Sequence, residues 1–568
     1  MKNIFRSFGV LVAIVAIFAL IACAPAAQPT AAPPTAAPAQ PTAAPAPPTE
    51  APAQPTAMPV EPTQASTGAQ GTIVWVQNID DVVSMDPQEA YEFSGWLAVH
   101  SIYDTLVKFE GKDLTNLKPG LAEKWDVKDA GDHWELTFTL ADGNKFASGN
   151  PITSADVVYS FQRGIEMNKP PAFLFTDTGG LTTDSISAPD AKTVVLKMPK
   201  TASPAEFLNV LTAPPLSIVD SVEVKKHETQ VDGKNDWGNT WLKDHSAGSG
   251  PYMLDHWTKD VEFLLKANPN AAVAPKTPQV LVKHTPEGAT QQQILEKGDA
   301  DIAAGLTPEQ ITSLAGNKDI TTTKAGNLQL FYMGMNAQME PMDDNKVREA
   351  IRYAIDYDAI VNDLLSGNAQ VIQGVIPNGL LGANTDIMFK RDVEKAKSLL
   401  KEAGVDGFEI DMLTLTGNQG LVPMGDLGAK IQADLEEVGI KVNVKAQPAA
   451  ELLATYRASK APIVLLLWGP DYPDPNTNAT PFSDINAGSI AKRNNWEDKK
   501  AIELAAAAKL EADPAKRVAM YKELTEYVAH NGPYAVLFQP QNLFALRSNV
   551  QGFDWNPMGY QDLWTLAK

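Results

Sequence analysis

Between Ala24 and Ser66 thirteen of 43 residues are proline, Ala and Thr supply most of the rest, and Glu50 and Glu61 are the only charges. Proline has no N–H to give to a helix or sheet. A tract of this composition cannot bury enough apolar area to offset its ordering entropy, so it stays extended unless a binding partner orders it. At about 3.1 Å per residue in polyproline II it would reach on the order of 130 Å. A compact body is thereby confined to the segment from about Gly71 to Lys568. That body, roughly 500 residues, is too long for one core and predicts two or three domains.

The residues before the tract explain what it tethers. Lys2 and Arg6 precede an uncharged run, Val10 to Ala22. That run is too short to span a bilayer as a helix, which takes about 20 residues. A basic start followed by such a run reads as an export signal, residues 1–22. It ends at Leu20-Ile21-Ala22-Cys23, and Cys23 is the single cysteine of the chain. These four residues resemble the bacterial lipobox, in which the cysteine receives a diacylglycerol and becomes the new N-terminus. Cys23 is then a lipid anchor, and residues 23–70 are a disordered tether to a membrane surface. With no second cysteine there is no intrachain disulfide to form.

The chain carries 47 basic and 68 acidic residues, a formal net charge of −21. Phosphate neutralisation needs a basic face, so nucleic acid is excluded as an expected partner. Periodicity places several elements. Trp134, Leu136, Phe138 and Leu140 alternate as a half-buried strand, and Asp142-Gly143 predicts a hairpin turn toward Lys145-Phe146. Thr307-Pro308-Glu309-Gln310 has the N-cap, N1 proline and N3 glutamine of a helix start. Val347, Ala350, Ile351, Ala354, Ile355, Ile360, Val361, Leu364 and Leu365 predict one face of a long helix. Phe408, Ile410 and Met412 alternate, a helical stretch runs through Leu435 and Val438, Gly439 ends it, and Ile440, Val442 and Val444 alternate again. Strand, helix, strand implies a parallel crossover and an α/β lobe.

No His-Glu-x-x-His, Gly-x-Ser-x-Gly or Gly-x-x-x-x-Gly-Lys-[Ser/Thr] occurs, and no two of the seven histidines lie within four residues of each other. Neither a cofactor nor a metal is called for, although ligands assembled by folding stay open. Carboxylates are abundant, so a glycosidase-like acid pair also stays open.

A set of short stretches then appears in a telling order. They are Met85-Asp86-Pro87, "IYDTLV" at 102–107, "LKPGLAEKW" at 117–125, "DGNKFASGNPITSADVVYSF" at 142–161 and "GSGPYML" at 248–254. "LKANPN" ending at Asn270, "LEKGDADIAAGL" at 295–306, "MNAQMEPMDDNKVREAIRYAID" at 335–356 and "WGPDYPDP" at 468–475 complete it. In this order they resemble the extracellular solute-binding proteins of peptide-class ABC importers, family 5, the cluster C type. The resemblance implies an α/β, two-lobed periplasmic-binding-protein fold with a subdomain inserted in the first lobe. By position the first lobe is 71–112, 241–333 and 535–568, the insert 113–240 and the second lobe 334–534. It also implies a monomer that captures a peptide or similar small polar solute by lobe closure, without catalysis. The solute passes to transmembrane permease subunits, and the lipid anchor keeps the receptor on the extracytoplasmic face of the membrane. The contrasting reading is a tethered surface hydrolase with a carboxylate pair.

For the ligand, "WGPDYPDP" is the first choice, with Trp468 as a rigid plate and Gly469 allowing close backbone approach. In peptide-binding members an aspartate of this motif takes the α-ammonium, and Asp471 matches it; Tyr472 stands beside it, and Asp474 is expected to be a turn residue. Ile463 to Leu467, where some oligopeptide binders carry an arginine for the ligand carboxylate, is wholly apolar, leaving Arg457 upstream as the substitute candidate. Tyr91, Phe93, Tyr103 and Asn336 lie in segments expected at the cleft.

Overall fold

Two strands set the frame because each is apolar on both faces. Thr72–Gln77 (TIVWVQ) is buried throughout and pairs in parallel with Gln279–His284 on one side and Ile302–Ala304 on the other. Leu330–Met335 (LFYMGM) is likewise buried throughout and lies between Ile463–Trp468 and Tyr534–Pro540, antiparallel to both. Continuous apolar runs of this kind are what a strand covered on both faces requires. The computed structural model describes residues 71–568. Residues 1–70, with the expected leader, Cys23 and the tether, lie outside the described residues.

The first frame strand is central to a seven-stranded sheet: Tyr252–Thr258, Glu262–Ala267, Gln279–His284, Thr72–Gln77, Ile302–Ala304, Asn542–Arg547 and Ile320–Ala325. The second is central to a six-stranded sheet: Ala369–Gln370, Tyr534–Pro540, Leu330–Met335, Ile463–Trp468, Phe408–Leu415 and Ile440–Gln447. The chain passes between them twice, at 326–329 and at Gln541. Leu330–Met335 and Tyr534–Pro540 both belong whole to the six-stranded sheet, so the crossings lie a few residues from the expected 333 and 535. Side-chain amides tie the crossings together. Gln539 Nε2 donates to Asn327 O (2.5 Å) and Asn378 O (2.9 Å), and Asn327 Nδ2 donates to Asn542 Oδ1 (3.1 Å).

Local expectations are met where capping and periodicity act alone. Phe408–Leu415, the helix Met424–Glu436 and Ile440–Gln447 form the parallel crossover. Thr307 and Gln310 exchange the two hydrogen bonds of a capping box. Two expectations need correction. The long helix breaks: Asn345–Ala354 ends at Ile355, whose ψ of 133° is extended, and Asp356 caps a second segment by accepting from Ala359 N (3.1 Å). The apolar stripe is still buried on both sides of the bend, which is why its spacing concealed the break. The hairpin after Asp142-Gly143 is absent, because Ala122–Asp129 and Thr193–Pro199 occupy both edges of His133–Leu140, and Lys145 bridges Pro151 instead.

His133–Leu140 belongs to a separate four-stranded sheet with its own apolar core. Gly248 and Gly250 of "GSGPY" pack on the end of helix Phe93–Ile102 within the first lobe, where a Cβ would lie 2.1 Å from Ile102 O and 2.6 Å from Ser101 O. The insert meets this turn where Ala147 N donates to Gly248 O (2.9 Å). An ion pair fastens it further. Arg163, on the insert helix Ser154–Met167, is fully buried and grips both carboxylate oxygens of buried Asp86, with Nη1 2.7 Å from Oδ1. Its Nε donates to Trp237 O (2.7 Å), and Asn239 Nδ2 donates to Asp86 Oδ2 (2.7 Å). Among the described residues no helix is long and apolar enough to cross a membrane.

Removing one partner of a buried pair leaves an uncompensated charge, at about 3–5 kcal/mol. Asp86→Ala is expected to lower the urea midpoint accordingly. Adding Arg163→Met recovers part of the loss; a double variant no better than the single would show that the charge pair does not carry the joint.

Candidate ligand cleft

Open α/β sheets bind ligands outside the carboxyl ends of their strands, where the topology leaves a crevice. Such a crevice exists here, with a cavity volume of about 480 Å³. Gln77 and Asn78 close the end of Thr72–Gln77, Ala304 and Gly305 the end of Ile302–Ala304, and Pro470 follows Ile463–Trp468. Both crossings contribute, through Asn327 to Gln329 and through Gln541 and Asn542. The crevice therefore lies between the two sheets, against the segments that join them.

Of the expected site residues Phe93 lines the crevice, exposed by 43% and edge-on to Trp96. Of "WGPDYPDP" only Pro470 lines the crevice. Trp468 is half-buried against Phe482, with Nε1 donating to Thr477 O (3.2 Å). Gly469 makes room for Gln329: a Cβ there would sit 3.2 Å from Gln329 Cγ. Asp471 does not face the crevice as a free carboxylate. Its Oδ1 accepts the Tyr91 hydroxyl at 2.6 Å, a direct contact from the loop after the six-stranded sheet to the first lobe. Burial pushes the Asp471 carboxyl above its usual range, and the Tyr91 hydrogen bond only partly offsets this.

Four expectations are corrected. Tyr472 points away from the crevice into the insert's core, its hydroxyl donating to Glu206 Oε1 (2.7 Å). Asn336 is fully buried at the far end of Leu330–Met335, donating to Ser459 O (3.0 Å) and accepting from Asn495 Nδ2 (3.0 Å). Since Leu330 pairs with Trp468 and Met335 with Ile463, Asn336 lies a full strand length from the crevice. Arg457 is exposed at the end of helix Ala449–Arg457, on that same far side. Tyr103 is 2% exposed within the first lobe's apolar core. Strand direction decides the positions of Asn336 and Arg457, and pattern alone does not reveal which end of a strand meets the crossing.

Asp474 makes the expected turn contact, accepting from Asn476 N (2.9 Å), but is far more than a turn residue. It is fully buried and takes both Arg517 Nη1 (2.9 Å) and Nη2 (2.8 Å), while Asn209 Nδ2 of the insert donates to it at 2.8 Å. Nearby, buried Glu206 accepts from Tyr472 and from Asn476 Nδ2 (2.7 Å), with Lys509 Nζ 3.7 Å from its other oxygen.

Burial, and then the Asp474 charge, push the Glu206 carboxyl above its usual range. A carboxyl whose folded pKa is raised costs stability as pH rises from its unfolded value, about 4.3, through the folded one; below that window the cost vanishes. Glu206→Gln keeps an acceptor for Tyr472 and Asn476 and removes the ionisation. The stability difference in favour of the variant is expected to grow with pH across that window, as measured by urea unfolding at a series of pH values. A difference independent of pH would show that Glu206 ionises normally.

The residues that sequence patterns did not single out are the carboxamides of the crevice, Gln77, Asn78, Gln329, Gln419 and Gln541, together with Trp555. Their signal was present as Asn and Gln gathered where apolar strands end, as in "GNLQL" and "FQPQNLF". With the geometry in view, comparison with known proteins is informative. The chain is 28% identical over 484 residues to the probable D,D-dipeptide-binding periplasmic protein DdpA of Escherichia coli (strain K12), covering 84% of this chain and 90% of that one. It is 28% identical over 479 residues to the dipeptide-binding protein of the same organism, covering 81% and 87%. The structure of HbpA2 from Haemophilus parasuis matches with a TM-score of 0.76 at 24% identity, covering 87% of this chain and 99% of that one. DppA from Helicobacter pylori, in complex with the peptide STSA, matches with a TM-score of 0.70 at 24% identity, covering 88% and 98%. The fold is thus that of the periplasmic binding proteins. Residues 116–489 match the model of the bacterial extracellular solute-binding proteins, family 5, and the chain belongs to that family.

Proposed function

We propose that this protein is the extracytoplasmic receptor of an ABC importer, taking a small polar solute into the crevice, closing on it and presenting it to a transmembrane permease. The observation that carries this reading is a crevice bounded by two sheets and by both segments joining them, with a direct Tyr91–Asp471 contact between its sides. Two joined lobes with one crevice at the joint have the geometry of hinge closure. The relatives' names support peptides as the reference solutes. The receptor acts as a monomer held to the membrane by a lipid on Cys23, with residues 23–70 as its tether. The paired-carboxylate hydrolase has no support at this crevice, since none of its lining residues is Asp or Glu.

Closure is a population shift, and contacts made only in the closed form set its equilibrium. Saturating the purified protein with the solute that mass spectrometry finds bound to it is expected to reduce the radius of gyration in small-angle scattering. Tyr91→Phe leaves the crevice lining intact but deprives a buried carboxylate of its donor. A hydrogen bond to a charged group contributes about 1.5–3 kcal/mol, so affinity is expected to fall roughly ten- to a hundredfold. Unchanged affinity and an unchanged radius would together sink the closing receptor.

Cys23→Ser removes the thiol that would carry the lipid, and residue 23 lies outside the folded body. The variant is expected to fold as the parent does and to leave the membrane fraction. Continued membrane association with incorporation of labelled fatty acid would overturn the anchor.

A further inference from the structure

The loop from Trp468 to Pro475 meets the other side of the joint through two carboxyls, and the two contacts are reciprocal. Asp471 of the loop accepts the Tyr91 hydroxyl of the first lobe at 2.6 Å. Its neighbour Tyr472 donates to Glu206 of the insert at 2.7 Å. Because prolines stiffen this loop and the two residues are adjacent in it, one withdrawal of the loop breaks both contacts and admits water to both carboxyls. Closure dehydrates both in one step.

Neither carboxyl then meets a cation at hydrogen-bond distance. Among the described residues Asp471 forms no ion pair, and the titratable groups that act on it are the hydroxyls of Tyr91 and Tyr472. Glu206 is faced by Tyr472 and Asp474 of the loop, by Lys509 of helix Lys499–Leu510, and by Arg517 and Tyr521 of helix Pro514–Asn531. Arg517 is taken by Asp474, and Lys509 Nζ stands 3.7 Å from Glu206 Oε2. Hydrogen bonds divide unevenly between the two oxygens of Glu206. Oε1 accepts from both Tyr472 and Asn476 Nδ2 (2.7 Å each), whereas Oε2 is buried and has no hydrogen-bond partner among the described residues. An ionised carboxylate offers two equivalent acceptors; an un-ionised one accepts at its carbonyl oxygen and carries the proton on the other. Glu206 has the second arrangement. Burial raises both carboxyls, and at Glu206 the Asp474 charge adds to it and outweighs Lys509.

We propose that closure of the lobes takes up protons at Glu206 and Asp471, so that acidity of the medium tightens the closed form and a rise in pH loosens it. This regulation rests on the receptor reading above and acts on the same crevice. A carboxyl that holds its proton more firmly closed than open makes the closed-to-open ratio rise as pH falls, between its two titration ranges and nowhere else. Each such group changes the ratio by at most about tenfold per pH unit. A solute that binds only the closed form gains affinity by the same factor wherever the open form predominates.

The probe is the hydrogen ion itself, and the protein is the full chain with Cys23→Ser, refolded to remove bound solute. Small-angle scattering between about pH 8 and about pH 5, a range above the usual carboxylate values near 4, is expected to show the radius of gyration falling as the pH falls. Asp471→Asn and Glu206→Gln each keep an acceptor for the facing tyrosine and remove the titration. Each single variant is expected to lose part of the pH dependence, and the double variant to be as compact at about pH 8 as the parent is at about pH 5. The formal net charge of −21 diminishes on acidification in every form, so a contraction due to relieved repulsion would be shared by the double variant. A radius independent of pH in the parent overturns the proton linkage, and so does a pH dependence kept in full by the double variant. Should the double variant fold poorly, the two single variants decide by the same criterion. Compaction by bound solute at one fixed pH reads the receptor function separately, and it survives a failure of the linkage.

Discussion

The Asp474–Arg517 ion pair is the interaction on which the crevice depends. Two parallel N–H to O contacts at 2.9 and 2.8 Å, with both side chains buried, fix the carboxylate at the start of helix Asn476–Ser483. Such a pair confers geometry more surely than stability, since desolvating both ions offsets much of their attraction. Geometry is what the loop needs. With Asp474 held from within its own lobe, Asp471 is directed at Tyr91, Pro470 at the crevice and Tyr472 into the insert. Prolines 470, 473 and 475 limit the remaining freedom of the loop.

The insert is fastened to both lobes, by means that differ in strength. On the first-lobe side Arg163 and Asp86 form a fully buried, doubly bonded pair reinforced by Gln88, Asn239 and Trp237 O. On the second-lobe side Glu206 and Asn209 meet Tyr472, Asn476 and Asp474 by single hydrogen bonds, and Lys509 stands off at 3.7 Å. Motion between the sheets would therefore carry the insert with the first lobe and work against the second set of contacts. Arg517 keeps Asp474 compensated on its own side of such a separation, so opening does not strand a buried charge. The ordered amide network at the two crossings confines the bending to a few residues.

Burial, more than any single residue, governs the chemistry at the lobe contacts. Asp471 and Glu206 both have carboxyls raised by desolvation, one against Tyr91 and one against Tyr472. In each case a tyrosine hydroxyl supplies the donor that water would supply in an open form. None of the residues lining the crevice carries a formal charge. Charges are used to shape the walls, and neutral groups are left for the contents.

Much of the architecture was legible in the chain itself. The all-apolar strands, the capping box at Thr307, the parallel crossover from Phe408 to Gln447 and the ordered family motifs report on forces acting over a few residues. Composition likewise separates residues 24–66 from the body, because that tract has too little apolar surface to offset the entropy of ordering it. The bend at Ile355–Asp356 was hidden because a stripe of buried residues continues across it. What pattern could not supply was direction. Asn336, Arg457 and Tyr103 are the right residue types in segments near the right strands, yet they sit at the far end or inside the core. Asp474 looked like a turn because its local contact with Asn476 is visible in sequence, whereas Arg517, 43 residues away, is not. Which side chains face a crevice is decided by how sheets stack and where the chain crosses between them. Those contacts join residues hundreds of positions apart, such as Tyr91 with Asp471, and only the folded chain brings them within reach.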